Sequence, residues 1–507
     1  MKYLALLALS FAAQAAAAGP SFIDRAADLP LPVIYAGEWE HFVGGGVAIL
    51  DCNADQKPDL FVAGGTNSAS LLVNGSDAGG PVRFSDGEMK PIIGVTGAYP
   101  LDIDGDGLLD LAVLRVGPDV FLKGEPGCKF QDATAEWGLT SGDRWSTAFS
   151  ATWEAGQKWP TLAIGHYVDR TRPDGPFEAC DSNSLYRPKK GGGYSAPVKL
   201  APGYCALSML FSDWKRNGTA DLRISNDRHY YVRGGYEEMW HLSPLAPYDK
   251  AEWPQFSLWG MGIASRDINA DGLPEVMMTS MGDQLLQLNR GGGKLENAPF
   301  SLGTYAHQPY LGDDGRPSTG WHAEFGDIDN DGRDDLFIAK GNVDQMPSNA
   351  IHDPNNLLKQ GADGVFVESG GEAGIATMER SRGAGLADLN GDGRLDIVVV
   401  NRRAPLEIWE NTTEGTGHWL AIAVQGPEGN SQAVGAWVEL RANAATQSRE
   451  ITVGGGHVSG QALPLHFGLG SAESAELRVV WPDGTASPWD TVKVDKQVTI
   501  GPDGIVN

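Results

Sequence analysis

Five short segments of this chain place carboxylates or amides at alternate positions, with one more carboxylate four residues on. They are Asp51, Asn53, Asp55 and Asp59; Asp102, Asp104, Asp106 and Asp110; Asp267, Asn269, Asp271 and Glu275; Asp327, Asp329, Asp331 and Asp335; and Asp388, Asn390, Asp392 and Asp396. In a tight loop, alternate side chains point inward, so positions one, three and five converge on one point and position nine completes the shell. A hard cation that takes roughly six to eight oxygens in flexible geometry, calcium above all, is what such a shell suits. Four of the five loops have glycine after position five (Gly107, Gly272, Gly332, Gly393), which supplies the positive φ that closes the turn. A sixth copy, Asp213, Lys215, Asn217 and Asp221, has an ammonium where the second carboxylate belongs and reads as an ion-free Asx turn. About four to five calcium ions per chain are therefore expected.

An EF-hand would need Glu at position twelve and helices on both sides. Position twelve of the Asp102 loop is Val113, and Leu111 to Val116 is β-branched and alternating, so the flanks are strands. First aspartates stand at 51, 102, 213, 267, 327 and 388, with gaps of 51, 111, 54, 60 and 61 residues. The gap of 111 is a double period, and Trp145–Trp153 followed by Thr161–Val168 fills it as strand, turn and strand without carboxylates. Seven repeats result. Each has an inner strand, often glycine-led, then the loop, an apolar strand, a third strand and often a Phe-x-Asp/Glu segment. Four short strands per period read as a blade of a seven-bladed β-propeller. Glycines on the inner strands fit crowding near the axis, where side chains of seven strands meet. The last repeat lacks its Phe-x-Asp segment, and Phe22-Ile-Asp24 near the N-terminus supplies one, so the ring is expected to close through the N-terminal strand.

After Gly417 the carboxylate loops stop. Strands are expected at His418–Val424, Val434–Leu440, Ser448–Val453, Leu465–Leu469 and Glu476–Trp481, a small all-β, sandwich-like domain over residues 417–507. Gly454-Gly-Gly456-His457 precedes no helix, so it reads as a turn and not a phosphate cradle.

A net charge of −26 with no basic tract excludes nucleic acid as a partner class. Residues 1–18 read as a secretory signal, with Lys2, an apolar run Leu4–Ala13 and Ala16-Ala-Ala18 before the cut, which leaves the propeller at 19–416. No later stretch is long enough to span a bilayer. The expected place is secreted or periplasmic, where disulfides form. Of three possible pairings of four cysteines, Cys180 with Cys205 is preferred because both flank the irregular insertion Thr171–Tyr204, and Cys52 with Cys128 follows.

The repeats resemble the FG-GAP (VCBS) repeats of integrin α-chain propellers. His418-Trp-Leu, Gly435-Ala, Arg449-Glu-Ile, Gly455-Gly456-His457, Leu465–Leu469 and Trp481-Pro-Asp-Gly484 resemble the ASPIC/UnbV domain. The combination is similar to the cartilage acidic protein family. The resemblance implies an all-β chain with a seven-bladed, integrin-α-like, calcium-binding propeller followed by a β-domain, and implies little about activity. Some relatives of the C-terminal domain occur with enediyne biosynthesis genes, which leaves an enzymatic role open.

No Ser-His-Asp, Cys-His or zinc spacing stands out. His41, Met261, Trp321, His322 and Arg382 begin inner strands, and repeat geometry brings such positions to one mouth of the central channel. There they could bind a transition metal or an anion, or plug the channel and hydrogen-bond backbone. Asn226-Asp227-Arg228-His229-Tyr230-Tyr231 is a second polar and aromatic cluster, either a surface binding loop or strand-end packing. Two functions follow. One is a monomeric calcium-stabilised scaffold that binds a protein or glycan on one propeller face. The alternative is a secreted metal-dependent enzyme with its site at the channel mouth.

Overall fold

In a computed structural model the described residues are 19–172, 175, 177–227, 234–312, 315–443 and 445–506. The proposed signal segment 1–18 lies outside them. The order of elements is almost wholly strands, with only two four-residue α-helices among the described residues, Thr134–Trp137 and Gly370–Ala373.

The strands of residues 19–416 fall into seven four-stranded antiparallel units among the described residues. Their first strands are Val47–Leu50, Val95–Leu101, Arg144–Thr152, Ala206–Ser212, Gly260–Arg266, Gly320–Gly326 and Ser381–Ala387. Each neighbours the next and the seventh returns to the first, a closed ring. These strands are apolar and buried because both faces of every blade are covered by the blades beside it. Leu111, Val113 and Leu122 of blade two pack with Val47–Leu50 of blade one, and Ala112, Leu114 and Phe121 pack with Phe149, Leu162 and Ile164 of blade three. Blades two and three are also joined edgewise by Arg144 opposite Gly117 and Trp145 opposite Val116. The ring is closed by the N-terminus: Phe22, Ile23 and Asp24 pair antiparallel with Asn411, Glu410 and Trp409 of blade seven. Arg25 then forks onto Glu410 at 2.8 and 3.1 Å. Disulfides join Cys52 to Cys128 and Cys180 to Cys205, tying blades one and two together and stapling the insertion after blade three's second strand.

The C-terminal strands form two four-stranded sheets. One holds His418–Val424, Leu465–Gly470, Lys496–Gly501 and Gly504–Ile505; the other holds Trp437–Ala442, Ala445–Glu450, Ser474–Val480 and Asp490–Lys493. Leu420, Ile422, Val438, Leu440, Phe467, Leu477 and Val498 fill the space between them.

The segment read above as a turn is something else. Residues 453–462 leave the C-terminal domain and run through the centre of the propeller. Val453 bridges Ala151, Gly454 bridges Leu210, Gly456 bridges Ile263 and Ser459 bridges Ala98. Gly460, Gln461 and Ala462 then pair parallel with Ala48, Ile49 and Leu50, adding a fifth strand to blade one. This strap adds a second reason for the inner glycines. A Cβ on Gly46 would lie 2.5 Å from the Val458 carbonyl carbon, and one on Gly97 2.5 Å from the Val458 Cβ. These two glycines make room for the strap, and Gly46 also for Gly97 of the adjacent inner strand, while Gly262 and Gly385 face the Trp321 carbonyl and the Ile49 side chain of the next blade.

Candidate functional site

The carboxylate loops link the first and second strands of their blades, so all lie on one face of the ring. Their local geometry repeats. The position-one carboxylate accepts two backbone N–H groups across the loop: Asp327 from Asp331 and Gly332 at 3.0 and 2.7 Å, and Asp388 from Asp392 and Gly393 at 3.1 and 2.7 Å. Position three accepts from position five in several copies, as Asn269 does from Asp271 at 2.9 Å. The glycine after position five has φ of 84 to 93° in four loops, and in blade one Gln56 adopts 66° in its place.

Position nine does two jobs. It opens the second strand and is buried in all five loops, and its two oxygens accept the N–H of position two and an N–H at the end of the third strand. The pairs are Cys52 and Asn74 on Asp59, Ile103 and Gly124 on Asp110, Ile268 and Asn289 on Glu275, Ile328 and Gln360 on Asp335, and Leu389 and Asn411 on Asp396. The carboxylate is thus a hydrogen-bonded staple of the blade as well as a candidate oxygen ligand in the loop. Sequence spacing signals the second role only.

Ligand-type oxygens of Asp102, Asp104 and Asp110, and of Asp327, Asp329 and Asp335, each lie within 4.8 Å of one another. Asp329 Oδ1 is buried with no hydrogen-bond partner, while Oδ2 of the same carboxylate pairs with the Lys359 ammonium. That arrangement fits a divalent cation. Cys52, Asp59 and Cys128 are also close, but both sulfurs are in the disulfide and offer no thiolate. In blade four Lys215, at position three of the loop itself, lies 3.3 Å from Asp221 Oδ2 and over the rings of Trp214 and Tyr248, so the loop carries its own cation. In blades two and six an ammonium from the third strand, Lys123 on Asp104 and Asp106 and Lys359 on Asp329, pairs with the loop carboxylates and would have to give way to an ion.

Burial holds the buried position-one and position-nine acids named next above the ordinary carboxylate range. Asp110 and Glu275 are pushed up to about 8, and Asp59, Asp267 and Asp388 up to about 6. Asp327, Asp335 and Asp396 are raised well above the usual value, by burial first, with neighbouring carboxylates adding to it. A carboxylate whose pKa rises on folding favours the fold while protonated. That contribution is complete below about pH 4, the unfolded value, and is lost as pH climbs through 6 to 8. The cation-free protein is expected to lose stability from pH 5 to pH 8. A divalent cation, which takes the ionised form, is expected to bind more tightly over the same interval and to release protons. Calorimetric titration in two buffers of different ionisation enthalpy reads the proton release directly, and identical heats in both would contradict it.

The C-terminal domain sits on this same face. Ser431 Oγ donates to Asp102 Oδ2 at 2.6 Å, and Asp102 N–H donates to Gln432 Oε1 at 2.8 Å. Arg449 donates to Asp334 at 2.9 Å, and Asp213 N–H donates to Glu450 at 2.7 Å. None of these contacts is readable from loop spacing. The nearest signal is Asp334, an extra carboxylate at position eight of blade six. Between the domain and the ring lies a cavity of about 750 Å³, lined by Asp267, His322, Glu324, Trp419, Arg449 and Gln461 among others.

At the channel, Arg382 is fully buried. It donates to the carbonyls of Phe42, Ser381 and Val343 at 2.8, 2.9 and 2.6 Å and stacks 4.0 Å above Trp321. Trp321 Nε1 donates to Gly341 O at 2.7 Å, and Met261 is buried beside these residues. His322 Nδ1 accepts the His457 N–H at 3.1 Å, which fixes the neutral ring with its proton on Nε2, 3.4 Å from Glu324. A metal on Nε2 would require a proton on Nδ1, where an N–H already points. His322 is therefore not disposed to hold a transition metal through Nε2. No metal-type cluster among the described residues includes His41 or His322. The strap's own His457 is fully buried and held neutral, its pKa lowered to about 3 by burial and by Arg382. Asn226 and Asp227 are buried at a strand end, and Arg228 to Tyr231 lie outside the described residues.

Comparison with known proteins places this geometry. An FG-GAP-like repeat model matches residues 51–113, 267–338 and 327–399, and the ASPIC and UnbV model matches 426–505. Cartilage acidic protein 1 of Mus musculus is 25% identical over 231 residues, 44% of this chain and 34% of that protein. The protein of the same name from Xenopus tropicalis is 26% identical over 238 residues, with shares of 44% and 34%. This chain spans about a third of the length of the curated relatives it matches. Among solved structures, a BBS1N chain in complex with ARL6DN aligns with a TM-score of 0.45 at 10% identity, over 76% of this chain and 96% of that one. Trypanosoma rangeli sialidase aligns with a TM-score of 0.34 at 11% identity, over 68% and 57%. Neither likeness bears on function.

Proposed function

This chain belongs to the FG-GAP and ASPIC/UnbV family of distant cartilage acidic protein 1 homologues, and on that premise we propose that it is a secreted or periplasmic calcium-binding scaffold. Calcium holds the blades, and a protein or glycan partner binds a propeller face. The observation that carries the reading is the buried carboxylate cluster of blade six, where Asp327, Asp329 and Asp335 converge and one oxygen of Asp329 has no partner. The five loops would hold the ions through Asp51, Asn53, Asp55 and Asp59 and their counterparts. The ion supplies charge neutralisation and a cross-link between strands, and so adds folding energy. Two disulfides, and the absence among the described residues of a helix long and apolar enough to cross a membrane, fit the proposed location. The C-terminal domain covers the loop face, which leaves the opposite face, with its exposed Trp39, for a partner. Chelation at pH 7.5 is expected to lower the unfolding midpoint by roughly 10 °C or more, since binding at about a hundred times Kd adds about 2.7 kcal/mol per site. A midpoint unchanged by chelator and by added calcium would overturn the reading.

A further inference from the structure

Not all the loops are equal. The C-terminal domain touches some of them at the residues that would hold the cation and leaves others bare. In blade six, Gly417 N–H donates to Asp329 O at 2.9 Å, and Gly470 N–H donates to Asn330 O at 2.8 Å. His466 Nε2 lies 2.7 Å from Asn330 Oδ1. Gly468 lies flat against the position-one carboxylate, where a Cβ would come 2.5 Å from Asp327 Cγ. In blade two, Ser431 and Gln432 hold both the side chain and the N–H of Asp102. The loops of blades one, five and seven carry no hydrogen bond to the C-terminal domain among the described residues, although Trp419 packs against Gly393 of blade seven.

We propose that the C-terminal domain is the lid of the cation sites in blades two and six: a cation bound there fastens the domain to the propeller, and the docked domain traps the cation. The proposal rests on the calcium reading above and adds a linkage to it. If docking orients Asp102 and Asp327 for the cation, the cation must favour docking by the same factor. Ser431 and Gly468 are then positioning residues, acting on the cation through the aspartates they contact. Blade four shows the same face anchored without a metal. There Arg216 pairs with Glu439 at 2.6 Å and Glu450 accepts from Ser212 and Asp213 at 2.5 and 2.7 Å.

The test uses the full-length protein loaded with calcium. Stopped-flow mixing with a fluorescent chelator reads ion release, and hydrogen exchange read by mass spectrometry follows residues 417–506 over the same interval. The expected result is a fast phase from the uncovered loops and a slow phase of about two ions, with exchange in 417–506 and in the strap rising together with the slow phase. Gly468→Ala and Ser431→Ala are expected to speed the slow phase about tenfold, a typical cost of losing an outer-shell partner. Ser431→Thr, which keeps the hydroxyl, is expected to restore it. Asp55→Asn in blade one is expected to remove one fast ion and leave exchange in 417–506 unchanged. Should a variant fail to fold, the two phases and their coincidence with exchange in the unmodified protein still decide. Release of every ion in one fast phase, or unchanged exchange in 417–506 after the slow ions leave, would overturn the lid and leave the calcium reading standing. No release at all because no calcium is bound would overturn both.

Discussion

Gly97→Ala is expected to destabilise the protein by about 3 kcal/mol, the upper range for forcing volume into a packed interior. The glycine sits on blade two's inner strand, and its new methyl would land on the Val458 carbonyl and 2.5 Å from the Val458 Cβ. Backbone stands on both sides of that contact, so no side-chain rotation relieves it. Ala98, the next residue, bridges Ser459, so a shift of the strap also breaks its pairing with blade two. Gly75→Ala is the control: no atom lies within 4 Å of its Cβ position, and the change is expected to stay within about 0.5 kcal/mol. Urea unfolding of both variants reads the difference. Equal midpoints would mean that residues 453–462 do not occupy the channel.

Asp396→Ala is expected to cost about 4 kcal/mol whether or not calcium is present. The side chain is fully buried, and its two oxygens accept the Leu389 and Asn411 N–H groups at 2.8 and 2.7 Å. Truncation orphans two buried backbone donors, each worth about 1 to 3 kcal/mol when left unpaired, and removes an oxygen from the proposed shell. Asp392→Ala, at position five of the same loop, is the contrast. Its carboxylate accepts only the Arg394 N–H among backbone donors, so the loss is expected mainly in calcium-loaded protein. Chemical unfolding of both variants with calcium and with chelator separates the two roles. An Asp396→Ala cost that vanished under chelation would show that position nine serves the ion alone.

The fold was legible because its signals are local and repeated. A carboxylate at every second position leaves one loop geometry, and the β-branched runs beside it leave one kind of flank. The N-terminal pairing was legible from a missing piece, since Phe22-Ile-Asp24 matches the segment that blade seven lacks. The Cys180–Cys205 disulfide follows from cysteines that flank irregular chain, and Cys52–Cys128 is the pair that remains. The strap was not legible. Gly454-Gly-Gly-His457 has no side-chain period, and its partners are backbone atoms of blades up to 412 residues away, as in the bond from Val47 N–H to Ser459 Oγ. For the same reason sequence shows only part of what Gly46 and Gly97 accommodate, whereas Gly262 and Gly385 do face the inner strand of the next blade. At the channel, sequence could bring His322 and Arg382 to one region. Only the donor at Nδ1 of His322 and the carbonyls around Arg382 show that their hydrogen-bonding capacity is spent within the protein. The lid contacts were hidden likewise, because Ser431, Gln432 and Gly468 carry no pattern of their own.

The direct measurement is the metal content of the purified mature protein by elemental mass spectrometry, before and after mild chelation. Four to five calcium per chain that fall away on chelation, with no transition metal, is the predicted result. A chain that holds no calcium at any step, though folded, would contradict the reading of the carboxylate loops on which the rest depends.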